Sequence, residues 1–478
     1  METRNWVGGE WLAPQSGTVE VSNPSNVLET VGVLRLSAGG DLLQAVDAAK
    51  QAGRGWRGMT GAARGECLYR MAEALARCSG DVAELASREM GKPIAEMRGE
   101  VARGVQLLRY YAGEGVRAIG DVIPSTQKDV LQYAIRVPLG VVAVVTPWNF
   151  PVAIPIWKVA PALICGNTVV WKPAEAASLT AYKLAEVFSQ AGVLPAGTLN
   201  LVIGRGSALG RTLLEDAAVD AVSFTGSTGT GMKFAAACAA RNIKYQTEMG
   251  GKNAAVVLRD ADLALAVPAV LGGAFRSAGQ KCTATSRIIV ERPIYDEFVS
   301  ALAAAAAGLK VRHALDEEAY TGPVATSEQY RTVMEYVRLA KTDSRTLAEA
   351  PIPQEWQGHY VSPLLVEGVA ADHPLVREEI FGPLAAVLPA EDAEEAIALA
   401  NRSAFGLSAS VFTRDIRAAL RFLERTEAGM VRVNQETAGV EYQAPFGGMK
   451  ESGSHSREQG QAALDFYSAV KTCAIAYG

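Results

Sequence analysis

VVAVVTPWNFPVAIPIWKVAPALICGNTVVWKP, residues 141 to 173, opens the region of the chain where strand and helix begin to alternate. The runs VVAVV and TVVW are followed by LNLV (199–202), DAVSF (220–224), IKYQT (243–247) and NAAVVL (253–258), most of them separated by helical stretches. Residues 178 to 190 form one such helix, for which Ser178 is the expected N-cap. Near-continuous apolar strands joined by helical crossovers predict a parallel sheet covered on both faces. Sheets of this kind bind ligands at the carboxyl ends of their strands.

Upstream, residues 41 to 113 carry helical spacing in blocks (Leu68, Met71, Leu75; then Val82, Leu85), broken at Ser79-Gly80 and around Gly91 and Pro93. They read as a helical layer laid on the sheet. VLQYAIRVP, residues 130 to 138, alternates like a strand but stands outside the regular pattern, as a protruding strand does when it pairs elsewhere. Downstream lies a second α/β half: helix 262–277, strand 285–291, helix 293–306, strand 407–412, helix 415–426 and strand 429–434. The fold class is α/β, with a Rossmann-like parallel-sheet domain (1–120 and 140–250), a second α/β domain (251–440) and a small β arm (121–139 and 460–478).

A chain of 478 residues, 49% hydrophobic and 20% charged, has length for more than one core. A net charge of −5 provides no basic face for nucleic acid or anionic lipid, which favours a small-molecule partner. Six cysteines without CxxC or Cys/His spacing signal neither a disulfide framework nor a metal site, so a reducing, cytoplasmic setting is the expectation. The start METRNWVGGEWLAP lacks the pattern of a signal peptide, and no run of about 20 apolar residues spans a bilayer.

GQKCTATSR, residues 279 to 287, sets Cys282 on what reads as a flexible loop among small and polar neighbours, where a thiol can reach a ligand. A lone cysteine is more often inert packing, so the loop by itself does not establish chemistry. A thiol sealed in the interior would end the catalytic reading. Two glycine clusters compete for a phosphate. GRGSALG (Gly204, Gly206, Gly210) has the wrong last spacing for a dinucleotide fingerprint and reads as turn glycines. FTGSTGTG, residues 224 to 231, follows a strand and opens a helix, so Gly226 and Ser227 present a helix N-terminus; a plain helix cap explains it equally well.

The chain resembles the NAD(P)-dependent aldehyde dehydrogenase superfamily along nearly its whole length. The motifs stand in the family's order: TPWNFP (146–151), KPAE (172–175), FTGST (224–228), EMGGKN (248–253), GQKC (279–282), EEIFGP (378–383) and PFGGMKESG (445–453). Met249 replaces the commoner leucine. The resemblance implies Cys282 as nucleophile, Asn149 with the Cys282 amide as oxyanion donors, and Glu248 as the base for hydrolysis, re-aimed on the freedom of Gly250 and Gly251. It implies Lys172 and Glu175 at the adenine ribose, Gly226 and Ser227 at the pyrophosphate, Glu379 at the nicotinamide ribose, and Thr146, Trp148, Thr225 and Phe381 completing the cofactor site. Glu175 suits free ribose hydroxyls, which favours NAD, with NADP admitted by the nearby lysine.

For the substrate, a small aldehyde, the resemblance places Phe150 and Trp157 as tunnel walls, with core packing an equal alternative. Arg276 and Lys281 lie beside the nucleophile. Arginine at 276 is shared with succinate-semialdehyde oxidisers, but their second arginine falls where this chain has Trp157, so that match is incomplete; a bond from Arg276 to a backbone carbonyl is the alternative to carboxylate capture. GQKCTATSR and NQETAGVEYQAPFGG (434–448) are similar to the α-ketoglutarate semialdehyde (2,5-dioxopentanoate) dehydrogenase branch. Alternatives are a broad-specificity enzyme, a succinate-semialdehyde oxidiser, an acylating dehydrogenase and a non-catalytic relative. The strand 130–138 and FYSAVKTCAIAYG resemble the family's oligomerisation arm, which implies a homodimer or homotetramer.

Overall fold

The structure, a computed structural model, describes residues 1–117 and 120–478. The last positions of the expected 1–120 segment, 118 and 119, lie outside the described residues.

Six strands follow the apolar runs read from the sequence, and five of them make a parallel sheet in the spatial order Lys244–Glu248, Ala221–Thr225, Val141–Thr146, Thr168–Pro173, Leu199–Leu201. Two N-terminal strands, Asn5–Val7 and Glu10–Leu12, extend its far edge antiparallel. The chain winds outward from Val141–Thr146 to Leu199–Leu201, then returns to add Ala221–Thr225 on the other side. The carboxyl ends of Val141–Thr146 and Ala221–Thr225 therefore flank the point where winding reverses, the crevice where such sheets hold ligands. Thr146, Trp148, Asn149, Thr225, Gly226 and Ser227 all stand at or just beyond these two ends.

NAAVVL joins the second sheet, whose order is Arg345–Glu349, Leu364–Glu367, Leu384–Ala390, Thr285–Glu291, Asn253–Val257, Ser408–Phe412, Met430–Val433. Only Arg345–Glu349 runs antiparallel to its neighbour. A three-stranded antiparallel sheet, Gly120–Ile123, Val130–Pro138 and Ser468–Ala476, stands apart from both. The α/β expectation holds. Leu364–Glu367, Leu384–Ala390 and the N-terminal strands were not anticipated.

Four helices, Gly39–Gly58, Gly61–Arg77, Ser79–Met90 and Ile94–Glu114, form the expected layer, with Leu68, Met71, Leu75 and Val82 wholly buried. Thr60 caps the second through the Ala63 amide at 3.2 Å, and Gly91, at φ +82°, ends the third. Among the described residues no helix is long and apolar enough to cross a membrane.

Two readings of helix ends need correction. Ser178 does not cap its helix, because its hydroxyl donates back to the Ala174 carbonyl at 3.0 Å. The free amides of Leu179 and Thr180 are instead taken by the buried carboxylate of Glu89, at 2.7 and 2.8 Å, from a helix ninety positions upstream. Gly206 and Gly210 are not turn glycines: both lie in the helix Gly206–Glu215. Glu89→Ala would strand two buried amides and should cost about 2–3 kcal/mol. A lower apparent Tm at fixed scan rate is the expected result; an unchanged one would mean another group caps this helix.

Candidate active site

Cys282 lies between the turn Arg276–Gly279 and the strand Thr285–Glu291, and this loop is held rather than flexible. Three successive residues, Ser277, Ala278 and Gly279, adopt left-handed backbone (φ +54°, +52° and +67°). A Cβ on Gly279 would fall 2.2 Å from the Gly382 carbonyl oxygen, so only glycine fits there. Left-handed alanine and serine each cost about 1–3 kcal/mol unless neighbours over-determine them. The neighbours do. Glu96 accepts from the Ser277 amide and hydroxyl (2.9 and 2.7 Å), Thr321 Oγ1 accepts from the Ala278 amide (2.9 Å), and Gln280 Oε1 accepts from the Ala325 amide (2.9 Å). Asn253 Nδ2 donates to the carbonyls of Cys282 and Ala284 at 2.8 and 2.9 Å.

The cysteine keeps partial solvent exposure, so it is not sealed, yet its sulfur lies deep beside Leu407, Met430, Val440 and Phe446. Burial pushes the thiol pKa far up, the carboxylates of Glu379 and then Glu248 push it further, and the Thr283 amide pulls it back. Asn149 is buried, and its Nδ2 donates to the Gln280 carbonyl at 3.0 Å, two positions before the nucleophile. The structure thus brings Cys282, Asn149, Glu248 and Glu379 around one point.

Glu248 ends the strand Lys244–Glu248 and is only 1% exposed. Its side chain packs against the backbone of Gly447 and Gly453. Among the described residues neither carboxylate oxygen has a partner at hydrogen-bonding geometry, although the Gly448 amide is near enough to favour the charged form. Burial and then the nearby Glu458 raise its pKa well above the carboxylate range, against Lys158 and Arg457. Glu458 itself is buried, ion-paired to Lys158, and accepts from Trp157 Nε1 at 2.6 Å. Lys158 also donates to Ser223 Oγ at 2.9 Å. Sequence reasoning missed this pair, although a lone lysine in the otherwise apolar helix Ala153–Ile164 was its signal.

Glu379 accepts from the Gly251 amide at 2.9 Å, and a Cβ on Gly250 would lie 2.2 Å from its Oε2. These glycines are required by the close approach of Glu379 and of the Cys282 carbonyl, a different reason from freeing Glu248. Burial lifts the Glu379 carboxyl to about 7. Phe381, with φ +55°, meets the Trp148 ring edge-on at 5.5 Å.

At the far end of the crevice Lys172 is buried, its pKa brought down to about 8 by burial with Glu175 opposing. Arg205, which sequence reasoning passed over, stands 3.9 Å from Glu175. The helix Thr228–Ala240 starts after Ser227, whose hydroxyl donates to Thr230 Oγ1 at 3.0 Å and does not cap the helix. The hydroxyls of Thr225 and Thr228 are buried without a partner among the described residues. The Gly226 amide donates to the Glu248 carbonyl at 3.1 Å, joining the phosphate-facing loop to the strand that carries the glutamate.

Other expected residues are turned elsewhere. Thr146 Oγ1 accepts from the Trp171 indole at 2.9 Å, which faces its hydroxyl inward. Trp157 is packed behind Phe446, ring centroids 5.3 Å apart. Arg276 is exposed, its guanidinium 5.8 Å from the Tyr320 ring centroid. Lys281 Nζ lies 3.7 Å from Glu96, and burial lowers its pKa against Glu96 and Glu436. A cleft of about 750 Å³, lined by Arg103, Arg432, Glu436, Val440 and Glu441 among others, adjoins the cluster that holds Cys282 through Val440.

A family model described as "Aldehyde dehydrogenase family" matches residues 11–473. An alpha-ketoglutaric semialdehyde dehydrogenase of Bacillus subtilis is 49% identical over 98% of this chain and 97% of its own length. A 2,5-dioxopentanoate dehydrogenase of Saccharolobus solfataricus is 37% identical, covering 99% of each. Among solved structures, the betaine aldehyde dehydrogenase of Staphylococcus aureus in complex with NAD+ superposes with a TM-score of 0.95 at 32% identity, over 99% of this chain and 95% of that one.

Because the thiol pKa is raised, Cys282 should react slowly at neutral pH and faster as pH climbs. Glu379→Gln removes the largest charge opposing ionisation, so alkylation of Cys282 by iodoacetamide, followed by peptide mass spectrometry, should move to lower pH. An unmoved profile would mean that Glu379 does not bear on the sulfur.

Proposed function

The chain belongs to the aldehyde dehydrogenase family and oxidises an aldehyde with a nicotinamide cofactor; we propose that the aldehyde is a short semialdehyde acid such as α-ketoglutarate semialdehyde, released as the free carboxylic acid. The observation that carries the reaction is the convergence of Cys282, Asn149 and Glu248 on one partly open point.

The cofactor fits this crevice. Two buried hydroxyls without partners among the described residues, Thr225 and Thr228, and the uncapped helix N-terminus after Ser227 suit a pyrophosphate. Lys172 and Glu175 would hold the adenine ribose, Glu379 the other ribose, and Trp148 and Phe381 would border the nicotinamide, with Thr146 bracing from behind. When bound, the nicotinamide accepts the hydride. Glu175 would repel a 2′-phosphate while Arg205 partly neutralises it, so NAD is favoured and NADP is turned over less well.

Cys282, as thiolate, adds to the aldehyde carbon, and the carbonyl electron pair moves onto oxygen. One Asn149 N–H is committed to Gln280, which fixes the amide plane and leaves the other N–H to join the Cys282 amide in holding that oxyanion. Loss of such a donor costs about 100-fold to 1000-fold in rate. Hydride loss from the same carbon leaves a thioester. Glu248 then takes a proton from water as its oxygen bonds the acyl carbon, and the C–S bond breaks to return the thiolate and the acid. Its raised pKa means that the base form grows as pH rises, so the hydrolytic step accelerates with pH.

Arg276, exposed on the turn that leads to Cys282, would supply the positive charge for a distal carboxylate, while Lys281, turned to Glu96, and Trp157, packed behind Phe446, stand behind the site. The semialdehyde specificities of the Bacillus and Saccharolobus relatives support the same choice. The arm exposes Val122, Val470, Ile475 and Tyr477, which supports a homodimer or homotetramer. Six unpaired thiols support a cytoplasmic setting.

Glu248→Gln should leave the first turnover of NADH intact and reduce steady turnover about 100-fold or more. Restoration of turnover in the wild type only on adding coenzyme A would establish an acylating enzyme instead. Arg276→Ala, assayed on a panel of semialdehyde acids and uncharged aldehydes with NAD and NADP in parallel, should raise KM about tenfold or more for the acids alone. Equal rises for both classes would discard the carboxylate reading.

A further inference from the structure

Lys92 occupies a short crossing between two helices. It follows Gly91, which ends Ser79–Met90, and precedes Pro93, which opens Ile94–Glu114. Its ammonium is buried, donates to Glu100 Oε2 at 2.6 Å and to the Asn149 carbonyl at 2.6 Å, and lies 3.7 Å from the centroid of the Phe150 ring. Glu100 uses its other oxygen, Oε1, to accept from the amides of Val152 and Ala153 at 2.8 and 3.0 Å. In the segment 149–153 every residue except Pro151 is thus gripped by this one ion pair.

Stability alone is a poor reason for such a pair. Removing two charges from water costs several kcal/mol per ion, and apolar replacements of buried pairs are often as stable. The pair does fix position. Asn149 is held at both ends, by Lys92 through its carbonyl and by Gln280 through its side-chain amide. The charges that dominate at the Cys282 sulfur are Glu379 and Glu248, so Lys92 acts there through geometry and not through its field.

We propose that Lys92 and Glu100 are positioning residues for the reaction, a clamp that aims the free Asn149 N–H at the oxygen of the adduct on Cys282. This rests on the assignment of Asn149 as oxyanion donor. A displacement of about 1 Å at such a donor costs on the order of 100-fold, and Lys92→Met, which keeps the bulk without the charge, leaves the loop only partly free.

The test is a double-variant cycle read as the rate of the first NADH turnover with α-ketoglutarate semialdehyde and NAD. Lys92→Met should slow that step about tenfold or more in the wild-type background and less than about twofold in Asn149→Ala. Lys92→Arg should recover part of the loss. The pH dependence of Cys282 alkylation should stay where it is in Lys92→Met. Glu100→Gln, which keeps an acceptor for the Val152 and Ala153 amides, should slow the step about threefold and serves if Lys92→Met does not fold. An equal fall in both backgrounds, no fall, or a displaced alkylation profile would each overturn the clamp. If Asn149→Ala alone left the first turnover unchanged, the oxyanion assignment would fail, and the clamp with it.

Discussion

A buried thiol flanked by two buried carboxylates is the constraint on which this molecule turns. Burial alone makes Cys282, Glu248 and Glu379 prefer their neutral forms, and each negative charge that does form raises the cost of the next. A nucleophile and a general base are both needed ionised at different moments. The site separates them in position: Glu248 is packed against Gly447 and Gly453, while Glu379 is anchored to the Gly251 amide.

Buried lysines are rare in folded proteins, yet Lys92, Lys158, Lys172, Lys252 and Lys281 all lie around this crevice. Three have carboxylate partners, in Glu100, Glu458 and Glu96. Lys172 has only the field of Glu175, and Lys252 has no hydrogen-bond partner among the described residues, its pKa brought down to about 7 by burial. The three paired lysines thus set the positions of loops and carboxylates from outside the reacting centre. That arrangement keeps their fields from simply fixing Cys282 as a permanent thiolate.

The alternation of strand and helix from Val141 was legible because each buried parallel strand needs an unbroken apolar run, and the motif residues could be placed at strand ends by counting. The contacts that aim them were not legible. Lys92 reaches Asn149, Trp157 reaches Glu458 and Asn253 reaches the Cys282 carbonyl across separations that periodicity does not encode. Ser178 misled for a related reason: a serine at a helix start is a good local cap, but a carboxylate from another helix took the amides first. Residues 364–367 and 384–390 form central strands that were not anticipated from the sequence.

The two large sheets meet through backbone, and this decides how much the site can move. Gly226 bonds to the Glu248 carbonyl within the first sheet, and Asn253, five residues past Glu248, holds the Cys282 loop in the second. A shift of either sheet would pull on both the base and the nucleophile. Left-handed Ser277 and Ala278 add a strained turn directly behind the cysteine, held by Glu96, Thr321 and Gln280. Strain that is held in this way stores geometry: relaxing it would let the sulfur retreat, so the bonds that oppose relaxation keep the thiol facing the crevice before any aldehyde arrives.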